Sequence, residues 1–183
     1  MREHRSDGSA PSPWHVPVAL EDVPETGQHF ELVAAGDIRA AIARIAGLRE
    51  LPKLTAKFDL RRHGDGGLHV TGQVSASVGQ TCVVTLEPLI NEVNEDVDLL
   101  FVPKPAAQRD GAEANADHEN WDEAEPLIGG QINLGALAIE FLILGLDPYP
   151  RKPGAVFQPL SEAAGEEGPF AALAALKKDR DSH

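Results

Sequence analysis

Residues 134–146 read LGALAIEFLILGL, and prolines follow at 148, 150 and 153. Glu140 is the only charged residue in that run. Asn133 can cap it, because an asparagine oxygen accepts from the free N–H groups of a first helical turn. Leu134, Leu137, Ala138, Phe141 and Leu142 make one face at helical spacing, and Ala136, Ile139, Ile143 and Leu146 make another. A helix apolar nearly all round is expected to be buried on several sides. It is too short to span a bilayer, which takes about 20 residues. Pro148, Pro150 and Pro153 forbid its continuation.

A different period governs the chain before it. Leu54, Ala56, Phe58 and Leu60 alternate with Lys53, Thr55, Lys57, Asp59 and Arg61. After HGDGG, Leu68, Val70, Gly72, Val74, Ala76 and Val78 alternate with His69, Thr71, Gln73, Ser75 and Ser77. Period two on both sides of a glycine-rich turn predicts a β-hairpin. Its outer face carries Lys53, Lys57, Arg61, His69 and Gln73. Further strands are expected over 15–20, at an edge because Pro17 lacks a donor, and over 30–34, 81–86, 93–101 and 127–132. Ile38, Ala41, Ile42, Ile45 and Leu48 predict a helix with Asp37 as its cap and Gly47 near its end. The fold expected is α+β: a curved antiparallel sheet of five to seven strands, able to close toward a barrel, with the central helix buried on it. Phe58, Leu60, Val70, Val74, Phe101, Leu137, Phe141 and Leu142 are the expected core.

With 183 residues the chain has room for one domain and tails. Residues 1–13 are polar and expected to be a disordered tail. Residues 14–157 form the domain, with an acidic, mobile loop over 103–124. Residues 158–183 make a C-terminal tail in which Phe170, Leu173, Ala174 and Leu176 pattern as a short amphipathic helix. The net charge is -13, which argues against an unspecific nucleic-acid coat. Its distribution is uneven. Residues 37–62 hold seven basic residues against three acids, a local charge of +4, and residues 92–125 hold eleven acids against two basic residues, a local charge of -9. With Cys82 the sole cysteine, no intrachain disulfide can form, which suits a reducing compartment. The N-terminus lacks the apolar stretch of a signal peptide, so a cytoplasmic protein is expected.

Few residues point to chemistry. One cysteine and seven dispersed histidines offer no metal-ligand pair, so no metal or other cofactor is expected. As a nucleophile Cys82 would need an activating neighbour; in an apolar strand it reads better as a buried structural thiol. Gly64, Gly66 and Gly67 precede a strand, whereas a phosphate cradle precedes a helix. Glu140 can be read as a general acid, since burial raises a carboxyl pKa, or as a buried partner of an arginine or a backbone donor, the commoner role. The basic hairpin face and helix can contact RNA phosphates or serve as an ordinary solvated surface. These readings favour a protein that is not an enzyme.

Three blocks in order resemble the YceD family of large-subunit ribosomal RNA accumulation proteins: GQTCVVTLEP at 79–88, the stretch 125–155, and PFAALAALKK at 169–178. The similarity extends over roughly 14–178 and looks like the version found in alphaproteobacteria. Its structural markers here are Cys82, Pro88, Asn133, Leu134, Glu140 and Pro148. Many members carry Cys-x-x-Cys in the first block, where this chain has Cys82 and Thr85; others carry cysteines after the central helix, where it has PYPRKPGA. A metal or redox role is therefore not carried over. The resemblance implies a non-catalytic factor for accumulation of large-subunit ribosomal RNA in ribosome assembly.

Two modes of action fit. In one, Arg39, Arg44, Lys53, Lys57, Arg61 and Arg62, with Arg151 and Lys152 as a second contact, position RNA phosphates of ribosomal RNA or an assembly intermediate. In the other, the protein is an adaptor that binds a protein partner through apolar surface. A continuous basic patch favours the first; basic residues scattered among acids, beside an exposed apolar patch, favour the second.

Overall fold

A computed structural model describes residues 12–64, 66–103 and 124–157. The expected N-terminal tail through residue 11, the acidic loop over 104–123 and the C-terminal helix lie outside them. The elements run β1 (Pro17–Ala19), β2 (Gln28–Val33), α1 (Gly36–Ile45), β3 (Glu50–His63), β4 (Gly67–Thr81), β5 (Pro88–Pro103), β6 (Glu125–Leu127), β7 (Gln131–Asn133) and α2 (Leu134–Leu144). Strands β2 to β6 form one sheet in chain order, and β1 pairs with β7 in a separate ribbon. All pairings are antiparallel except β5 with β6, which is parallel.

The fold is thus α+β with a mixed sheet and two helices. Among the described residues no pairing joins β2 to β6, so no barrel closure is seen in them. Two long hairpins leave their outer strands free to end at different places, and β6 is too short to continue the wrap.

Alternation decides which face is wet. Leu54, Ala56, Phe58 and Leu60 on β3 and Leu68, Val70, Val74, Ala76 and Val78 on β4 are buried. Leu51 and Leu54, three apart, both point inward because the register shifts between Glu50 and Lys53. The extra residue of a bulge corrects the phase, and Pro52 sits there, where no ladder donor is needed. Helix α1 packs on β3, and α2 packs on β4 and β5. Buried residues of both helices join the sheet's inner row in one core. The opposite face is left to solvent, as an antiparallel sheet permits.

Asn133 caps α2: its Oδ1 accepts from the N–H groups of Gly135 at 3.1 Å and Ala136 at 3.3 Å. The same oxygen accepts from Val16 N–H at 2.9 Å, so one side chain fixes both the helix start and the incoming chain. Asp37 does not cap α1; Ala35 holds that position without a side-chain bond, and Asp37 lies in the first turn. The stretch 81–86 is not a strand. β4 ends at Thr81, residues 83–85 turn, and Pro88 opens β5. Six apolar or β-branched residues suggest a strand, but hydrogen bonds to a distant segment win over propensity there. Residues 127–132 break into the end of β6, a 3-10 turn at Ile128–Gly130 and the start of β7, because Gly129 and Gly130 take φ of 65° and 71°.

Helix α2 ends at Leu144 rather than 146. Leu134, Leu137, Ala138, Ile139 and Leu142 are buried, but Glu140, Ile143 and Leu144 are exposed. It is covered by β4 and β5 on one side and by the β1 segment with Trp14 on another, while Glu140, Ile143 and Leu144 face outward. Phe101 and Phe141 are half-buried at the core's margin. No described helix is long and apolar enough to cross a membrane.

Candidate functional site

Three surfaces carry possible function. The first is the sheet's outer face. Lys53, Lys57 and Arg61 line it on β3, as alternation predicts, but they are divided among acids. Lys57 Nζ lies 2.8 Å from Glu31 Oε1 on β2, and this pairing lowers the Glu31 carboxyl and raises the Lys57 amine from their ordinary pKa values. Asp59 sits between Lys57 and Arg61 and meets His29 at 2.9 Å. Two strands over, β5 presents Asp96 and Asp98 on the same face, bonded to Gln73 at 3.1 Å and to His69 at 2.6 Å. Exposed pairs of this kind contribute little to stability.

The second is a cleft of about 480 Å³ between α1 and the start of β3, lined by Arg39, Arg44 and Arg49 with Glu50 the one acid. Arg39 donates to Ala34 O at 2.9 Å, which holds its guanidinium beside the helix. Because α1 packs on the inner face while Lys53, Lys57 and Arg61 point outward, the helix and hairpin sets do not share one surface. Arg62 is a clamp, donating to Val23 O at 2.6 Å and Glu21 O at 3.1 Å. Lys152 pairs with Glu87 at 2.9 Å. Arg151 is exposed and enters no ion pair among the described residues. Arg49 was outside the sequence-derived set; only its place at the mouth of this cleft marks it.

The third is an apolar groove of about 450 Å³ where α2 faces the end of β5 and the β6–β7 corner. Leu99, Phe101, Ile128, Ala136, Leu137, Phe141 and Leu144 line it, with Glu125 and Glu140 among them. Ile128 is 74% exposed and Leu144 70%. Glu140 is exposed, which removes the premise of its reading as a buried acid. Sequence periodicity could not find this groove. The one local signal was Gly129–Gly130 directly after Ile128, which places that side chain at a turn.

Cys82 belongs to a junction rather than a strand. Its buried sulfur accepts from Lys152 N–H at 3.3 Å and Thr85 N–H at 3.4 Å. Val83 N–H donates to Pro150 O at 2.9 Å. The turn after β4 is thereby tied to the segment after α2. The Lys152 N–H above all, then the Thr85 hydroxyl and N–H, lower the thiol from its ordinary 9.0 to about 6, while burial pushes the other way. A depressed folded-state pKa contributes stability that is complete above the unfolded value and is lost as pH falls through the folded one. The stability advantage of wild type over Cys82→Ala in urea should therefore widen from about pH 5.5 to about pH 9. An advantage that stays flat over that range would mean the sulfur is not held as a thiolate. Leu86, at φ 60° and 75% exposed, is the strained residue of this turn. No three His, Cys, Asp or Glu side chains converge on a possible metal position among the described residues.

The profile of the family described as large ribosomal RNA subunit accumulation protein YceD matches residues 70–177, more than half of the chain. The match is narrower than 14–178. It contains the groove and the Cys82 junction but not the cleft of Arg39, Arg44 and Arg49. No curated protein and no solved structure matches the chain.

Proposed function

The chain belongs to the YceD family of large ribosomal RNA subunit accumulation proteins, and from that premise we propose that it is a non-catalytic factor that engages assembling large-subunit particles through the apolar groove beside α2. The carrying observation is the groove itself: exposed Ile128 and Leu144 beside half-buried Phe101 and Phe141. Water-exposed aliphatic side chains contiguous with a concave apolar wall are the usual mark of a protein-binding surface. The interleaving of Lys57 and Arg61 with Glu31 and Asp59 favours the same reading, since a divided face presents no sustained positive field to phosphates. The groove also falls inside the matched residues, and the arginine cleft does not. The chemistry expected of the partner is an apolar protein segment, and the setting is cytoplasmic.

A second reading rests on the arginine cleft, where Arg39, Arg44 and Arg49 outnumber Glu50. There the protein touches ribosomal RNA directly, with phosphate contacts that position without reading sequence. Lys53, Lys57, Arg61, Arg62, Arg151 and Lys152 are the remaining candidates for such contact.

Co-sedimentation with large-subunit precursors separates the two. Ile128→Asp with Leu144→Asp should weaken association about tenfold or more, the effect of charging a central apolar contact. Changing Lys53, Lys57 and Arg61 together to Glu, or Arg39, Arg44 and Arg49 together to Glu, should leave it within about twofold. If the groove pair sediments like wild type while either charge reversal is lost from the particles, the RNA reading replaces the first. All these side chains are exposed or at the rim, so folding is not expected to suffer.

A further inference from the structure

We propose that the partner engages as an added β-strand: an extended protein segment of alternating apolar and basic residues that pairs with the edge of β5 and sets its apolar side chains into the groove. The proposal rests on the groove being the engagement surface and names how that surface is filled.

Strand β5 is paired unevenly. Along one side β4 accompanies it from Pro88 to Phe101. Along the other, β6 pairs only with Phe101, Val102 and Pro103. Near its start, the segment after α2 is drawn to the adjoining end of β4, where Gln80 Nε2 donates to Asp147 O at 2.9 Å. Between these two fixtures, over 92–100, no strand of the described residues pairs with the second side. Every second residue there turns its N–H and C=O to that side, and a row of such groups is a template for one more strand.

The groove lies along the same edge. β6 already stands on the line that an added strand would continue, and the groove is walled by Leu99 and Phe101 of β5, Glu125 of β6, and Phe141 and Leu144 of α2. The end of α2 overlies the inner face of β5, where Gly145 lies against the side chains of Val93 and Glu95. A strand added beside β5, about 4.8 Å away, therefore sets alternate side chains under α2, next to Leu99, Phe141 and Leu144. The others fall on the sheet's outer face, level with Asp96 and Asp98.

Charge selects the occupant. Strands β5, β6 and β7 and helix α2 together carry Glu92, Glu95, Asp96, Asp98, Glu125 and Glu140, and no lysine or arginine. Opposite charges across a strand pair attract and like charges repel. A second copy adding through its own β5 edge would set acid against acid. A strand with basic residues at its outward positions meets opposite charge instead. Main-chain bonds then supply affinity, and the alternation of side chains supplies specificity.

The test uses the full-length chain and a synthetic peptide of about nine residues, a natural strand length, that alternates valine with lysine. Controls are a peptide of the same composition with its valines and lysines in two blocks, and one that alternates valine with glutamate. The alternating basic peptide should bind about tenfold or more tighter than either control, and it should slow hydrogen exchange at alternate amides of 92–100. Asp96→Lys with Asp98→Lys and, separately, Leu144→Asp should each weaken it about tenfold. Equal binding of the block peptide, or no slowing over 92–100, overturns the proposal. So does uniformly slow exchange over 92–100 in the free chain, because the edge is then already paired. Co-sedimentation separates this failure from failure of the groove reading. If Ile128→Asp with Leu144→Asp loses the large-subunit precursors while Asp96→Lys with Asp98→Lys keeps them, the groove engages its partner without a basic strand, and strand addition alone is overturned. If the groove pair keeps the precursors, the groove reading fails, and slowing of 92–100 by the peptide still decides whether the edge accepts a strand.

Discussion

Replacing Phe58 with Ala should cost about 3–5 kcal/mol, measured by urea denaturation. Phe58 is fully buried at the centre of β3. Its register partners are Phe30 on β2 and Gly72 on β4. The cost has two parts, the lost transfer energy of the ring and the cavity that remains. That cavity cannot collapse easily, because both neighbouring strands are held at fixed spacing by their ladders. For a domain of this size each kcal/mol lowers the melting temperature by about 2–4 °C, so a fall of about 10–15 °C should accompany it. Phe141→Ala provides the contrast. Its ring is half-buried on the groove wall, so only part of its area leaves water, and about 1–2 kcal/mol is expected. Equal losses at the two positions would mean that Phe141 is core in the folded protein.

Gly72→Val should be at least as damaging, about 3 kcal/mol or more, for a different reason. A Cβ at Gly72 would collide with the backbone carbonyl oxygen of Lys57 and lie 3.0 Å from the Cα of Phe58. The obstacle is main chain, which no rotamer change moves aside. β3 and β4 would have to separate in the middle of their longest pairing, where a strand glycine permits close backbone approach. Gly129→Ala tests the alternative cause of glycine dependence. Gly129 has φ 65° but nothing within 4 Å of an added Cβ, so only the left-handed backbone is penalised, at about 1–2 kcal/mol. A Gly72→Val loss below that of Gly129→Ala would show that the strands are less tightly apposed at Phe58 than described.

The two substitutions mark the division between what the chain spells out and what it does not. The alternation over 53–61 and 68–78 is enough to assign Phe58, Leu60, Val70 and Val74 to the core and Lys53, Lys57 and Arg61 to the wet face, because a strand's period of two is a property of neighbouring residues. Asn133 as the cap of α2 is likewise local, a side chain meeting amides two and three residues on. The obligatory glycine at 72 is not local: in sequence it is one inward position among six, and only the apposition of Lys57 makes it necessary. Cys82 shows the same limit. Its neighbours suggested a strand, but its sulfur is held by an amide 70 residues away. Burial of α2 nearly all round is met only in part, because hydropathy measures what a helix could bury, while the surfaces available depend on how the rest of the chain packs around it.

The sequence by itself determined the periodic elements, the hairpin, the capped central helix and the uneven charge, since each arises from residues within a few positions of one another. The family blocks, too, were readable in their order along the chain. Tertiary structure alone decided that β2 and β6 do not pair among the described residues, that acids on β2 and β5 divide the basic row on β3, and that Leu99, Ile128 and Leu144 meet in one groove. Those outcomes depend on register and packing between segments tens of residues apart, where a shift of one residue turns a side chain to the opposite face.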